Sequence, residues 1–348
     1  MSRVEEGLVD RFPEGLPRIA CVSCAAVNGN PGHGHRFARL YDVAAVSYWR
    51  TRYEPSLRWN LDRMVLPTLS AEEMRVAHGV GLRIPLRHED DPFAFYVSGA
   101  PPAITISVSS VKFLDDLSIA LAWLDRHRYS IEAIPWYASV LKHREVSEFP
   151  GGRYPLPLEA LGIPDDALGD AAVDQAAQKL LKTAVLFMLA HEIGHIVYRH
   201  RGNGPGLPRA DWQENELAAD RFAMRFFRQI GLAPVGIVPF FVAAAHLVPH
   251  RADFESEAAW TEYLDDRAAH PFSGLRVRSL ADELRRTPED FTRGEPNRAQ
   301  AAQRIHIAAD QIEGVAPLLD DPDLQRYAAE VGRRIPLAEL KLRRTRRE

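Results

Sequence analysis

Apolar residues recur at helical spacing between residues 171 and 201, and around residues 180–196 they cover most of the circumference of the predicted helix. A helix that is apolar on nearly every side is buried in the centre of a protein. The stretch RGNGPGLP, residues 201–208, ends this helix because glycine and proline interrupt helical structure. The helical pattern then returns in residues 212–230, 234–248, 271–286, 297–318 and 323–333.

The preceding part of the chain shows strand-like segments followed by helical spacing. Residues 93–98 (FAFYVS) and 103–109 (AITISVS) are rich in β-branched and aromatic side chains, and the connecting GAPP favours a hairpin. Helical spacing follows over residues 111–128 and again up to residue 142, with Pro135 expected to interrupt the second segment. The sequence therefore predicts a small sheet followed by helices.

The ends of this N-terminal part are marked by weaker signals. Residues 1–90 show no clear periodicity, except that Ser70 with Glu73 three positions later predicts the start of a short helix. Residues 149–166 (FPGGRYPLPLEALGIPDD) are rich in proline and glycine, which is typical of a connector between domains. We therefore expect an N-terminal α+β region over residues 1–150.

Composition and charge exclude several classes of protein. The hydrophobic content of 46%, the charged content of 26% and the formal net charge of -4 indicate an ordinary globular chain with no nucleic-acid or membrane-surface partner. The start of the chain lacks the basic and apolar parts of a signal peptide, and the apolar run at residues 184–190 is too short to span a bilayer. Two cysteines suit a reducing compartment, so we expect a cytoplasmic protein.

The buried helix carries the segment AHEIGHIVYRH, residues 190–200. His191 and His195 are four residues apart, so their rings project from one face and can bind one zinc ion. Glu192 lies about 100° around the helix, where it can act as a general base on a water molecule. Without a metal these polar residues carry a desolvation penalty, although hydrogen-bonded core histidines remain an alternative.

A catalytic zinc site needs a third protein ligand. Tyr198 and Arg201 occupy the glycine and third-histidine positions of H-E-x-x-H-x-x-G-x-x-H, which excludes that class of site. His200, five residues past His195, is expected to point away from the ligand face. The third ligand must therefore come from another segment.

The segment ENELAADRFA, residues 214–223, supplies a candidate on the next predicted helix. Glu216 follows a loop long enough to reverse the chain, and Asp220 lies one turn further on the same face. Asp220 can accept a hydrogen bond from a ligating histidine and so fix its tautomer. Glu214 is a rival ligand, but it lacks an aspartate four residues later.

His191-Glu192-x-x-His195 followed by Glu216-x-x-x-Asp220 resembles the gluzincin zinc metallopeptidases. The short gap between the two halves is similar to that of compact members, the ImmA/IrrE-type and the phage-exclusion Lit-type peptidases. The resemblance covers residues 171–280. It implies an α+β, zincin-like core in which a small, mostly antiparallel sheet accompanies an active-site helix and a glutamate helix.

The resemblance also implies a division of the chain and a reaction. Residues 167–280 would form the zinc-binding helical core, and residues 281–348 a C-terminal helical extension. One Zn²⁺ held by His191, His195 and Glu216 would lower the pKa of a water molecule, and Glu192 would move its proton. The hairpin at residues 93–109 would lie on the substrate side, with AITISVS as an edge strand that pairs with the substrate. A core strand without that role is an equal alternative.

The oxyanion formed in such a reaction needs a further hydrogen-bond donor. His270 and Arg276, in the segment HPFSGLR, are the first candidates, since this segment resembles a block of the CAAX-prenyl proteases and heat-shock peptidases. Pro271 at a helix start and a surface Arg276 are the ordinary alternative. The weaker candidates are Tyr198, His246 and Tyr263.

The leading interpretation is a zinc-dependent endopeptidase of narrow specificity that cuts a protein or peptide target. A regulatory or phage-defence context and an activating partner rest on the resemblance alone. The alternatives are a zinc hydrolase of a non-protein amide and a non-catalytic, zinc-stabilised binding protein. Cys21 and Cys24 with His33 and His35 form a weak candidate for a second metal site, because C-x-x-C alone is not specific.

Overall fold

The computed structural model describes residues 40–87, 93, 95–200, 209–266 and 272–342. Cys21, Cys24, His33, His35 and His270 therefore lie outside the described residues. Helices dominate and a small sheet accompanies them, so the predicted α+β class is confirmed. The α-helices, numbered along the described chain, are α1 (Val43–Asn60), α2 (Ala71–Ala77), α3 (Val108–Arg126), α4 (Ala133–His143), α5 (Pro157–Leu161), α6 (Ala171–Val197), α7 (Arg209–Ile230), α8 (Ile237–Leu247), α9 (Glu257–Asp266), α10 (Gly274–Arg286), α11 (Arg298–Glu313), α12 (Ala316–Asp320), α13 (Pro322–Arg334) and α14 (Leu337–Leu342).

The sheet is mixed rather than mostly antiparallel. Within the described residues it contains β1 (Gly81–Arg83), β2 (Phe95–Ser98) and β3 (Ala103–Ile106), in the order β1-β3-β2. β1 pairs with β3 in parallel, and β2 pairs with β3 in the antiparallel direction. The sequence pattern missed β1 because a strand of three residues is too short to show alternation.

β3 is the central strand, so the edge-strand interpretation of AITISVS is wrong and its equal alternative, a core strand, is confirmed. All four residues of β3 are buried, and its backbone pairs on both sides. The strand also ends before residue 107, because Ser107 caps α3 by accepting a hydrogen bond from the Ser110 backbone N–H. Among the described strands, β2 is the one at the edge beside α6, where the ring centroids of Phe95 and His191 are 6.2 Å apart.

The pattern also does not predict α1, because Pro55 lies inside this helix and proline normally ends one. Asp42 caps its start by accepting hydrogen bonds from two backbone N–H groups. Tyr53 and Leu57 are buried, and the Tyr53 hydroxyl donates to Asp115 of α3 at 2.6 Å. Packing against α3 therefore outweighs the backbone hydrogen bond that Pro55 cannot make.

The helix α6 forms the centre of the fold, as its apolar circumference predicts. Every residue from 183 to 194 is buried, and the helix packs against α3 and α7. By length and composition α6 is apolar enough to cross a membrane, but 72% of its apolar window is buried inside the protein, as is usual for a core helix. The helix ends at Val197, four residues before the predicted end.

The remaining predicted helices are confirmed, with ends that differ by a few residues. Pro135 does not interrupt α4, however: it lies in the first turn of this helix, where a missing backbone N–H costs no helical hydrogen bond. The segment 297–318 is divided near Gly314 into α11 and α12. Residues 149–166 contain the short helix α5, which packs against α3. The division of the chain into three regions stays a prediction.

Candidate metal centre

The helices α6 and α7 approach each other closely where both carry polar residues. Gly194 makes this approach possible, because a Cβ atom built there would lie 3.0 Å from Phe222 Cβ and 3.1 Å from Ala219 Cα on α7. The small residues Ala219 and Ala223 of α7 are completely buried. The contact brings one face of α7 to the histidines of α6.

Three side chains converge at this contact. The Nε2 atoms of His191 and His195 are 3.0 Å apart. The Glu216 carboxylate reaches both rings, with Oε2 3.5 Å from His191 Nε2 and Oε1 3.3 Å from His195 Nε2. A tetrahedral ion with bonds of about 2.0–2.1 Å keeps its ligand atoms about 3.3–3.4 Å apart. The donor set therefore fits a zinc-sized ion, and this largely buried cluster could bind one.

A second set of hydrogen bonds orients these side chains. His191 Nδ1 donates to Asp220 Oδ1 at 2.8 Å, which leaves Nε2 of the same ring for a metal. Arg276 of α10 donates to the two Asp220 oxygens at 2.6 and 2.8 Å, and its Nη1 lies 2.8 Å from Glu216 Oε2. The Arg276 side chain is only 4% exposed. It therefore fixes both carboxylates of α7, as a positioning residue would.

The charges of the metal-free site favour the positively charged form of His191, with a proton on both ring nitrogens. Burial opposes that proton, but hydrogen bonds to Asp220 and Glu216 outweigh burial and raise the pKa of His191 to about 9. Burial and the neighbouring charge of His191 lower the pKa of His195. Burial alone would raise the pKa of Asp220, yet Arg276 holds that pKa below its usual value. A bound metal must therefore displace the His191 proton.

His200 lies against the site, so the prediction that it points away is wrong. Its Nδ1 atom is 2.9 Å from His195 Nδ1. The prediction assumed that α6 continues past residue 200, but the helix ends at Val197 and Arg199 adopts a left-handed conformation with φ of 55°. A turn of this kind reverses the chain and returns the following side chain to the helix.

Glu192 and Glu214 occupy contrasting positions. Glu192 is 1% exposed, and its negative charge acts on both His195 and Arg276. Glu214, the rival ligand, has a side chain that is 67% exposed and forms an ion pair with Arg221 at 2.7 Å. Glu214 therefore faces solvent, whereas Glu216, two residues later and on the other side of the helix, faces the histidines.

Two of the weaker candidates for oxyanion stabilisation have partners of their own. His246 Nδ1 is 2.8 Å from Ser139 Oγ, and the Tyr263 ring stacks on Trp260 with centroids 5.6 Å apart. Tyr198 is 46% exposed, and the centroid of its ring lies 5.6 Å from that of His200. Their roles in the reaction stay predictions, as does that of Arg276.

Replacing Gly194 by alanine is expected to destabilise the protein by about 1–3 kcal/mol, because the new methyl group must separate α6 from α7. The same separation should weaken metal binding, since the ligands come from both helices. Denaturant unfolding with and without zinc measures both effects. Gly169→Ala is the control, because a Cβ atom there meets nothing within 4 Å. Equal stability of the two variants would contradict the tight contact.

Comparisons with known proteins bear on this site. Searches of curated proteins and of solved structures gave no match. Residues 125–230 match the model of the family named peptidase U49. The matched range contains His191, His195, Glu216 and Asp220, and ends before Arg276. The match covers 106 of the 348 residues, so this part of the chain is similar to a peptidase family.

Proposed function

We propose that this protein is a zinc-dependent endopeptidase of narrow specificity that acts in the cytoplasm. The observation that carries the proposal is the convergence of His191, His195 and Glu216 at distances suited to a tetrahedral ion. The peptidase U49 match over the same residues supports the reaction class. Among the described residues three side chains converge, and three protein ligands with a fourth position left for water or substrate are the pattern of a catalytic site.

His191, His195 and Glu216 would hold the ion, and Asp220 would keep His191 in the tautomer that offers Nε2. When bound, zinc supplies Lewis-acid polarisation and lowers the pKa of a water molecule. Arg276 keeps Glu216 and Asp220 in place through its three short contacts. The proposed ligand set therefore needs no rearrangement of the chain around these two carboxylates.

Glu192 would move the proton during hydrolysis. Its carboxylate would accept a proton from the attacking water and later deliver that proton to the nitrogen of the leaving amine. Burial of Glu192 suits this role, because a carboxylate away from bulk water interacts more strongly with a nearby proton donor. A site with only a structural function would have no need for such a base.

The substrate would pair with β2, which replaces AITISVS as the candidate edge. β2 lies at the edge of the described sheet, and its first residue, Phe95, contacts the ring of His191. An extended peptide added to such an edge makes backbone hydrogen bonds that hold it straight. Its scissile bond would then pass close to the metal ligands.

The test combines metal content with proteolysis. The purified protein is analysed for bound zinc, incubated with lysate from its own host with or without a chelator, and new protein termini are read by mass spectrometry. We expect one zinc per chain and a few discrete termini that vanish with the chelator and return with added zinc. A zinc-free protein, or termini that persist under the chelator, would refute the proposal.

Zinc affinity is expected to rise with pH. The pKa of His191 is raised to about 9 in the metal-free protein, so at lower pH zinc must displace one proton. The apparent dissociation constant should fall about tenfold per pH unit between about pH 6 and 8. His195 adds no second proton in this range because its pKa is lowered. Competition with a chromophoric chelator at several pH values gives the slope, and a flat profile would contradict the raised pKa.

A further inference from the structure

We infer that His200 positions the metal ligand His195, as Asp220 positions His191. The two Nδ1 atoms of His195 and His200 lie 2.9 Å apart, which is hydrogen-bonding distance. The ring centroids are 5.0 Å apart and the rings meet edge to face. This inference rests on the metal centre proposed above, and it assigns a role to a residue outside the H-E-x-x-H and glutamate motifs.

The end of α6 explains why His200 reaches His195. The His200 backbone N–H donates to the His195 carbonyl oxygen at 3.0 Å, and the Arg199 N–H donates to the Ile196 carbonyl at 3.0 Å. With Arg199 at φ 55°, these two bonds form a Schellman motif. In that motif the residue after the left-handed position contacts the side chain five residues earlier. That contact is commonly apolar, whereas here it joins two imidazoles.

The chemistry of the contact fixes one tautomer of His195. The Nε2 atom of His195 faces Glu216 and His191, so a metal at this point requires Nε2 without a proton. The proton of His195 then sits on Nδ1 and donates to His200 Nδ1, which must be the unprotonated nitrogen of its ring. Hydrogen bonds of this kind hold the ligand ring in orientation and raise its basicity toward the metal.

The two ligand histidines therefore donate to hydrogen-bond acceptors of unequal strength. Asp220 is 2% exposed and carries a charge, whereas His200 is half-buried and must accept as a neutral ring. A hydrogen bond donated to a carboxylate strengthens a ligand histidine more than one donated to a neutral acceptor. His195 is consequently the ligand whose support can be altered without removing a buried charge.

The experiment compares His200→Ala with His200→Asn. Alanine removes the acceptor, while the Oδ1 atom of asparagine offers an acceptor close to the position of Nδ1. We measure zinc affinity by competition with a chelator and the visible spectrum of the cobalt-substituted protein. We expect His200→Ala to weaken zinc binding about 10- to 100-fold and to shift the cobalt spectrum, with His200→Asn restoring most of both. His306→Ala, at an exposed histidine of α11, is the control and should bind zinc like the unchanged protein.

Substitutions at Arg199 test the geometry without touching either ring. Arg199→Gly suits a left-handed residue and should keep full zinc affinity. Arg199→Val introduces a β-branched residue that disfavours this conformation, so His200 should move and zinc affinity should fall toward that of His200→Ala. These variants keep the inference testable if His200→Ala folds poorly.

The outcomes separate this inference from the proposed function. If the unchanged protein binds no zinc, the metal centre itself fails. If it binds zinc and His200→Ala binds equally well, only the positioning role is refuted. Equal weakening in His200→Ala and His200→Asn, together with a lower melting temperature of the metal-free proteins, would also refute it, because His200 would then serve packing alone.

Discussion

Glu192→Gln is expected to abolish peptide cleavage while the protein keeps its zinc. The amide has the shape of the carboxylate but cannot accept a proton, so the attacking water loses its general base. Loss of a positioned general base typically lowers the rate by about 10²- to 10⁴-fold. Glu192 is not among the three converging donors, so bound zinc should stay at the level of the unchanged protein.

The measurement follows discrete termini produced from a host lysate, with zinc content determined on the same samples. Glu214→Gln is a matched control, because Glu214 is also a glutamate near the site but has a 67% exposed side chain. We expect Glu214→Gln to cleave and bind zinc normally. Cleavage by Glu192→Gln at the unchanged rate would place the base elsewhere, and loss of zinc from this variant would make Glu192 a ligand or a structural residue.

The parts of the site that the sequence predicts are those governed by spacing on one helix. His191 and His195 lie four residues apart on a helix with clear periodicity, and Glu216 and Asp220 repeat that spacing on the next. Within a helix this spacing places side chains on one face, whatever the rest of the chain does. Their convergence could therefore be predicted once the loop between the helices was long enough to reverse direction.

The parts that the sequence does not predict depend on single backbone conformations or on distant packing. His200 returns to the site only because Arg199 is left-handed, and arginine is not a residue that signals this conformation. α1 continues through Pro55 because tertiary contacts outweigh propensity. The identity of the edge strand depended on β1, whose three residues show no pattern of their own.

Arg276 is a fourth such case, since its contacts depend on how α10 packs onto α7. It is predicted as a candidate by its place in HPFSGLR, but the segment does not show what the guanidinium touches. The structure places it between Asp220 and Glu216, where Nε, Nη1 and Nη2 are all within 2.8 Å of carboxylate oxygens. Its energetic role can therefore be tested apart from any role in catalysis.

Arg276→Met is expected to destabilise the metal-free protein by about 3–5 kcal/mol, because it leaves two buried carboxylates without their cation. Methionine keeps most of the aliphatic volume beside Phe241 and Phe272, so the loss reports on charge rather than on a cavity. Arg276→Lys should recover only part of the stability, since an ammonium cannot match the planar contacts to both carboxylates. Guanidinium unfolding of the chelator-treated proteins gives these differences.

Arg278→Ala is the control on the same helix, because its side chain is 44% exposed and pairs with an equally exposed Asp320. Its loss should cost less than about 1 kcal/mol. Added zinc should reduce the loss of stability in Arg276→Met. The bound cation offsets the negative charge of Glu216 and holds His191 in its hydrogen bond to Asp220. If Arg276→Met were as stable as Arg278→Ala, the carboxylates would have to be protonated in the folded protein. That outcome would contradict a stabilising role of Arg276 towards Asp220 and Glu216.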